Sequence, residues 1–253
     1  MIDFFIIILI PILGLLLYMY LLAKRNIVVE KELFFSDLPK NFSGMKIFFI
    51  SDIHFRNVHE KILKKIAGKV DFIIIGGDLL EKKVPFERVE QNVCHLTKIA
   101  PTYFVWGNND YEGDVEKLLQ IFHEKNVKVL KNEAVLLKRE KDTIALAGID
   151  YGKKRMNIEK TLKEAGKHFT IFVSHSPDVR KMLPKKSHIR LFLSGHTHGG
   201  QIRFLCVGIR EKGKLAKENG MWVLISNGYG TTGLPFRLGA RPQTHLLTLK
   251  IKQ

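Results

Sequence analysis

Five short polar clusters in this 253-residue chain hold side chains with the reactivity and spacing for chemistry: Ser51-Asp52-Ile53-His54, Gly76-Gly77-Asp78, Gly107-Asn108-Asn109-Asp110, Ser174-His175 and Ser194-Gly195-His196-Thr197-His198. Carboxylate, imidazole and amide donors without a thiolate suit Mn²⁺, Fe²⁺ or Zn²⁺, and so many imidazoles suit Mg²⁺ less well. Asp52 and His54 stand two residues apart, as do His196 and His198. In an extended segment such pairs point the same way, toward one ion or one crevice. Gly76, Gly77, Gly107 and Gly195 remove side chains where the backbone must turn tightly beside the ions. A lone Asp-x-His is more often a cap or a surface pair, and a lone Gly-Gly-Asp is an ordinary turn. The recurrence of such clusters carries the metal reading. His59, His95, His123, His168, His188 and His245 lack this context and are read as surface or structural. Two cysteines, Cys94 and Cys206, exclude a disulfide framework and a four-thiolate site.

The elements that must position these clusters follow from hydrophobic periodicity. Short apolar runs rich in β-branched and aromatic residues alternate with amphipathic, lysine-rich stretches, which predicts an α/β fold. Strands are expected at residues 27–35, 46–51, 72–75, 102–105, 128–130, 143–147, 170–173, 190–193, 221–225 and 245–250. Helices are expected at 59–68, 86–99, 115–125, 158–166 and 177–182. Each polar cluster directly follows an apolar strand, and ligands of open α/β sheets bind outside the carboxyl ends of strands, so the clusters can converge there. No Ser/Pro/Gly-rich linker divides residues 27–253, which are read as one domain.

The order Asp-x-His, Gly-Gly-Asp, Gly-Asn-x-Asp, an isolated His and Gly-His-x-His resembles the calcineurin-like metallophosphoesterases. Leu38-Pro39 before Ser43-Gly44-Met45-Lys46, then Gly199-Gly200-Gln201-Ile202, Gly233-Leu234-Pro235-Phe236-Arg237 and Arg241-Pro242 resemble a bacterial membrane-anchored subgroup similar to UDP-2,3-diacylglucosamine hydrolases. The resemblance implies a four-layer αββα sandwich, and hydrolysis assisted by two divalent ions with no covalent enzyme intermediate. It also implies that Asp52, His54 and His198 bind one metal, that Asn108, His175 and His196 bind the other, and that Asp78 bridges them. Asn108, Asn109 and Asp110 are, with Asp78, the candidate catalytic residues.

One departure bears on mechanism. Where the family usually has a histidine after the metal-binding asparagine, this chain has Asn109, which can donate a hydrogen bond but cannot transfer a proton at neutral pH. A leaving group of low pKa, as in a pyrophosphate or an aryl-like phosphodiester, needs no such acid; otherwise Asp110, His59 or water must supply the proton. Arg56, Arg237 and Arg241 are candidates to hold a second phosphate by bidentate contacts. Phe34, Phe35, Phe55 and Phe236 are read first as core.

Residues 4–23 carry no charge and as a helix would span ~30 Å, a bilayer's hydrocarbon thickness. Pro11 and Gly14 are tolerated in such a helix, and Tyr18 and Tyr20 sit at the expected interface. No basic n-region precedes the run, so residues 1–26 are expected to be a retained anchor rather than a cleaved signal. Lys24, Arg25 and Lys31 follow it, which expects a single pass of the cell membrane with the catalytic domain in the cytoplasm. The composition, with 45% hydrophobic residues, excludes a disordered chain. The net charge of +16 is spread without a basic block, so it permits anionic partners without choosing among them. The expected partner is a phosphorylated lipid or nucleotide-type substrate cleaved by a monomer with two bound divalent ions, Mn²⁺ first among them. A nuclease or nucleotide phosphodiesterase acting on nucleic acid, and a non-catalytic metal-binding scaffold, are the alternatives.

Overall fold

A computed structural model describes residues 2–205 and 207–252 of the chain, with side chains described from Ile7 onward. The helix α1 (Ile2–Ala23) leads into β1 (Val28–Phe35), β2 (Lys46–Ile50), α2 (Glu60–Ile66), β3 (Phe72–Ile75), α3 (Phe86–Thr97), β4 (Thr102–Phe104), α4 (Val115–Glu124) and β5 (Lys128–Val129). After these come β6 (Glu133–Arg139), β7 (Asp142–Gly148), α5 (Ile158–Ala165), β8 (Phe169–Val173), β9 (Ile189–Ser194), β10 (Lys214–Glu218), β11 (Met221–Ile225) and β12 (Thr244–Ile251). Residues Pro177–Met182, expected as a helix, wind as a 3₁₀ segment. Two strands, β6 and β10, were not expected from the sequence; both are outer strands that pair with one neighbour in antiparallel fashion.

Among the described residues the strands form two mixed six-stranded sheets, ordered β1-β12-β2-β3-β4-β5 and β10-β11-β9-β8-β7-β6. Central strands such as Phe72–Ile75 and Phe169–Val173 are buried throughout, because both of their faces are covered. The period of two sorts their side chains. Ile47, Phe49 and Ile74 meet Ile144, Leu146, Ile171 and Leu191 between the sheets. Phe48, Ile50, Ile73 and Ile75 turn the other way, onto Val89, Val93, Leu118 and Phe122 of α3 and α4. Phe172 and Phe192 face outward from the second sheet, against Ala165 of α5 and Val179. Side-chain caps fix where helices start: His59, Asp114 and Asn157 accept from the main-chain N–H groups of Lys61, Lys117 and Lys160. Of the four phenylalanines read as core, Phe35 is buried there, whereas Phe34 and Phe55 are exposed.

Side chains along α1 from Ile7 to Tyr18 are exposed, while Met19, Leu22 and Ala23 at its end are buried. The expected span 4–23 includes side chains of residues 4–6, which lie outside the described ones. Among the described residues no helix is long and apolar enough to cross a membrane.

His245 on β12 is fully enclosed; its Nε2 lies 3.1 Å from Ser226 Oγ and its Nδ1 has no partner. Burial pushes its pKa down to about 3, so the fold holds it neutral. The unfolded chain takes up a proton near pH 6.5 that the fold refuses, so this contribution is present above 6.5 and is lost as pH falls toward 3. Comparing the wild type with His245→Gln in urea at pH 7 and pH 5 is expected to show the wild type losing ~1.5 kcal/mol more than the variant. Equal losses would place the acid sensitivity elsewhere.

Candidate metal centre

The five polar clusters leave the carboxyl ends of β2, β3, β4, β8 and β9 and meet at one edge of the sandwich. Asp52, His54, Asp78 and His198 bring one donor atom each within 4.8 Å of one another, and Asp78, His175 and His196 do the same. Asp78 belongs to both groups. Its Oδ2 lies 3.2 Å from His175 Nε2 and 3.8 Å from His54 Nε2. Imidazole nitrogens face each other at 3.2 Å twice, His54 Nε2 with His198 Nε2 and His196 Nδ1 with His175 Nε2. Asn108 adds a buried amide oxygen, Oδ1, that accepts no hydrogen bond. A buried oxygen with no partner and nitrogens converging in pairs are what a metal-binding donor set requires, so these residues fit two divalent ions.

The clusters do not run extended, as the spacing predicted. Asp52, His54, Asp78, His196 and His198 all take left-handed backbone conformations, with φ between 49° and 70°. The strands stop before these five ligands, and the backbone turns left-handed at each of them. Such conformations disfavour non-glycine residues and persist only where the surroundings over-determine them. Neighbouring hydrogen bonds do so: Asp52 N–H and His54 N–H donate to the carbonyls of Gly77 and Asp78, and His196 N–H donates to Asp52 Oδ1 at 3.0 Å. Gly77, at φ +85°, is needed beside them, because a Cβ there would stand 2.6 Å from His175 Nδ1 and 2.7 Å from Gly107 N.

Charges in the cluster divide unequally. Burial alone would raise the Asp78 carboxyl, but the charge and hydrogen bond of His175, with His54 behind them, hold it well below the usual range. His175 responds in kind, lifted to about 10 against its burial by Asp78. His196 is pushed down to about 4 by burial, His175 and Arg210. Burial, then His54 and Arg237, push His198 down as well. Burial also raises Asp52.

Residues outside the sequence reading complete the site. Glu81 Oε2 lies 2.6 Å from His54 Nδ1 and orients the ring so that Nε2 faces Asp78 and His198. Such outer carboxylates raise ligand basicity, so Glu81→Gln is expected to weaken Mn²⁺ binding ~10–100-fold in a chelator competition. Undiminished affinity would assign Glu81 no part in holding the ring. Arg210 is exposed on a loop, lines the pocket over Asp78, Asn108 and Asn109, and sets Nη1 3.3 Å from His196 Nε2.

Three other candidates have structural duties instead. Asp110 is fully buried and accepts from the N–H groups of Asp78, Leu79, Leu80 and Gly107 at 2.8–2.9 Å. Burial, then the charge of Asp78, raise it to about 6 against those bonds, but enclosure removes it from the pocket. Arg56 stacks on Tyr229 and donates to the carbonyls of Ala23, Lys24, Arg25 and Tyr229, tying the end of α1 to the turn after His54. Arg237 is entirely buried, and its guanidinium donates to the carbonyls of His198, Asn227, Gly230 and Ala240. These two arginines also reach side chains, Arg56 donating to Asn26 Oδ1 and Arg237 lying 3.3 Å from His198 Nδ1, so their guanidinium groups are engaged within the protein. Arg241 is exposed, does not line the pocket, and offers its carbonyl to Asn227. His59 caps α2 and lines no part of the pocket.

A sequence model described as calcineurin-like phosphoesterase matches residues 45–200. The chain is 43% identical over 235 residues to the Bacillus subtilis protein named "Uncharacterized protein YpbG", covering 91% of this chain and 90% of that one. It is 30% identical to the "Uncharacterized metallophosphoesterase YkoQ" of the same organism, covering 79% and 81%. It is also 30% identical to a Danio rerio protein named "Transmembrane protein with metallophosphoesterase domain", covering 90% of this chain and 58% of that one. Among solved structures, the Haemophilus influenzae NAD nucleotidase shares the fold at TM-score 0.51 and 18% identity, over 74% of this chain and 50% of that one.

Proposed function

The chain belongs to the calcineurin-like phosphoesterase family and is a metal-dependent phosphoester hydrolase, and from that premise we propose that it cleaves a phosphodiester or pyrophosphate whose leaving group has a low pKa, carried in a lipid or nucleotide-lipid. Asp52, His54, Asp78, Asn108, His175, His196 and His198 would hold the divalent ions, which when bound would supply Lewis acidity toward phosphoryl oxygens and acidify water. The mixed donors favour Mn²⁺, with Fe²⁺ or Zn²⁺ as substitutes.

The observation that carries the leaving-group assignment is Asn109. Its N–H donates to Asp78 Oδ1 at 2.9 Å, its side-chain oxygen accepts from Asn108 Nδ2, and it lines the pocket. The amide thus fixes Asp78 and Asn108 without offering a transferable proton. Arg210, in the role expected of the other arginines, can bind a phosphoryl oxygen or a second phosphate at the mouth. With Mn²⁺ and a series of bis-aryl and aryl-alkyl phosphodiesters, turnover is expected to fall steeply as leaving-group pKa rises. Asn109→His is expected to recover ~10²-fold at the slow end. A flat profile in the unsubstituted chain would remove the assignment.

Membrane attachment through α1 belongs to the same proposal. Its support is the run of exposed apolar side chains from Ile7 to Leu17, the cations Lys24, Arg25 and Lys31 that follow, and the name of the Danio rerio relative. In this proposal the catalytic residues lie on the cytoplasmic side, and the positive flank supports that orientation.

A further inference from the structure

Between His198 and β10 the chain forms a loop, residues 201–213, whose outer part has no charged side chain from Phe204 to Ile209. Phe204, Leu205, Val207 and Ile209 are 77%, 84%, 77% and 90% exposed. This exposure is built rather than frayed. Phe204 and Val207 exchange N–H to carbonyl bonds of 3.1 and 3.0 Å, closing a hairpin tip. At its base Arg203 N–H donates to Leu238 O, Leu238 N–H donates to Gln201 O, and the Arg203 guanidinium donates to the carbonyls of Gly199 and Arg210. The polar groups of the base are bonded inward while the apolar side chains of the tip are held in the open, the reverse of an ordinary surface loop.

The occupant follows from what surrounds the tip. Leu234, 65% exposed, comes from the adjoining loop, whose carbonyl accepts from Gln201 Nε2. Three residues on, Arg237 N–H donates to Met19 O at the end of α1, so the apolar tip and the exposed apolar helix are fastened to one short segment. Exposed Arg210 and Lys212 follow the tip, and Glu211 between them is paired with Arg180 and Lys214, which leaves the two cations to meet anionic headgroups above an apolar layer. Ile209 and Arg210 also line the metal pocket. We propose that the side chains of Phe204, Leu205, Val207 and Ile209 dip into the bilayer that receives α1, setting the pocket mouth at the level of the lipid phosphates. This rests on the membrane attachment proposed above and goes beyond it, since an anchor alone leaves the pocket's distance from the surface unset.

The test uses the full chain in phosphatidylglycerol-containing vesicles, with Cys94→Ser and Cys206→Ser, and an environment-sensitive fluorophore on Leu205→Cys, Val207→Cys or, as control, Lys186→Cys. Lys186 is exposed just before the amino end of β9, at the opposite end from the ligands. Acyl chains brominated near the headgroup are expected to quench the labels at 205 and 207 about twofold and the control by less than roughly a tenth. Vesicle-bound chain with unquenched tip labels overturns the hairpin's insertion and leaves the anchor standing. Tip labels shielded from water yet unquenched by lipid would assign the hairpin to contact between copies, which also overturns it. Chain that stays out of the vesicle fraction overturns both, while turnover of a soluble aryl diester in the same sample reports separately on the hydrolase.

Discussion

Asp78→Ala is expected to lower the metal content of the purified chain from about two divalent ions to fewer than one, and to reduce aryl phosphodiester turnover by ~10³-fold or more. No other side chain contributes to both donor groups among the described residues. Without it, the first group keeps Asp52, His54 and His198, the second keeps His175 and His196, and the carboxylate they share is lost. Asp78→Asn keeps the shape, and the oxygen that accepts from Asn109, while removing the charge, so it separates electrostatics from packing. Elemental analysis after exhaustive dialysis, beside single-turnover kinetics, makes the measurement. Undiminished turnover in the alanine variant would remove the two-ion reading altogether.

Arg237→Met is expected to cost ~3–5 kcal/mol of stability, a fall of roughly 10 °C in Tm. The guanidinium is wholly enclosed, and its partners in hydrogen bonding are backbone carbonyls and His198 Nδ1 rather than a carboxylate. Burial therefore lowers its pKa, to about 9, and its charge is tolerated because carbonyl dipoles surround it. Methionine fills similar length but leaves those oxygens unpaired in the interior. The bonds come from the His198 turn, from the segment after β11 and from Ala240, so the loss is expected to loosen the ligand turn as well. Differential scanning calorimetry with and without Mn²⁺ would show both effects, as a lower Tm and a smaller stabilisation by metal. A Tm within a degree or two of the wild type would mean that water replaces the guanidinium.

Much of the site was legible because its ligands stand at strand ends. An apolar strand buried on both faces announces itself by composition, and Asp52, Asp78, Asn108, His175 and His196 each lie within a few residues of such a run. What escaped has definite causes. The edge strand Glu133–Arg139 holds a short apolar run, Ala134 to Leu137, but only Val135 in it is β-branched, none is aromatic, and charged residues bound it, so it did not stand out as its buried neighbours did. Glu81 and Arg210 lie in loops, where position is set by tertiary contacts that no local pattern encodes. The contacts of Arg56 and Arg237 with main-chain carbonyls were not legible, because composition does not reveal what a guanidinium meets. The left-handed ligand turns were illegible for a similar reason: aspartate and histidine have no strong preference for that conformation, which distant hydrogen bonds impose.

The position of β12 has a consequence for how the molecule is made. This strand, latest in the chain, lies between β1 and β2, pairing in parallel with one and antiparallel with the other. While a ribosome is still extending the polypeptide, those two early segments have no partner between them and must wait until the chain as far as β12 has emerged. The segment that surrounds Arg237 arrives only just before it. Maturation of the first sheet and completion of the ligand turns are therefore late events that nearly coincide, and a nascent chain interrupted before them would be a substrate for chaperones and proteases rather than a partly working enzyme.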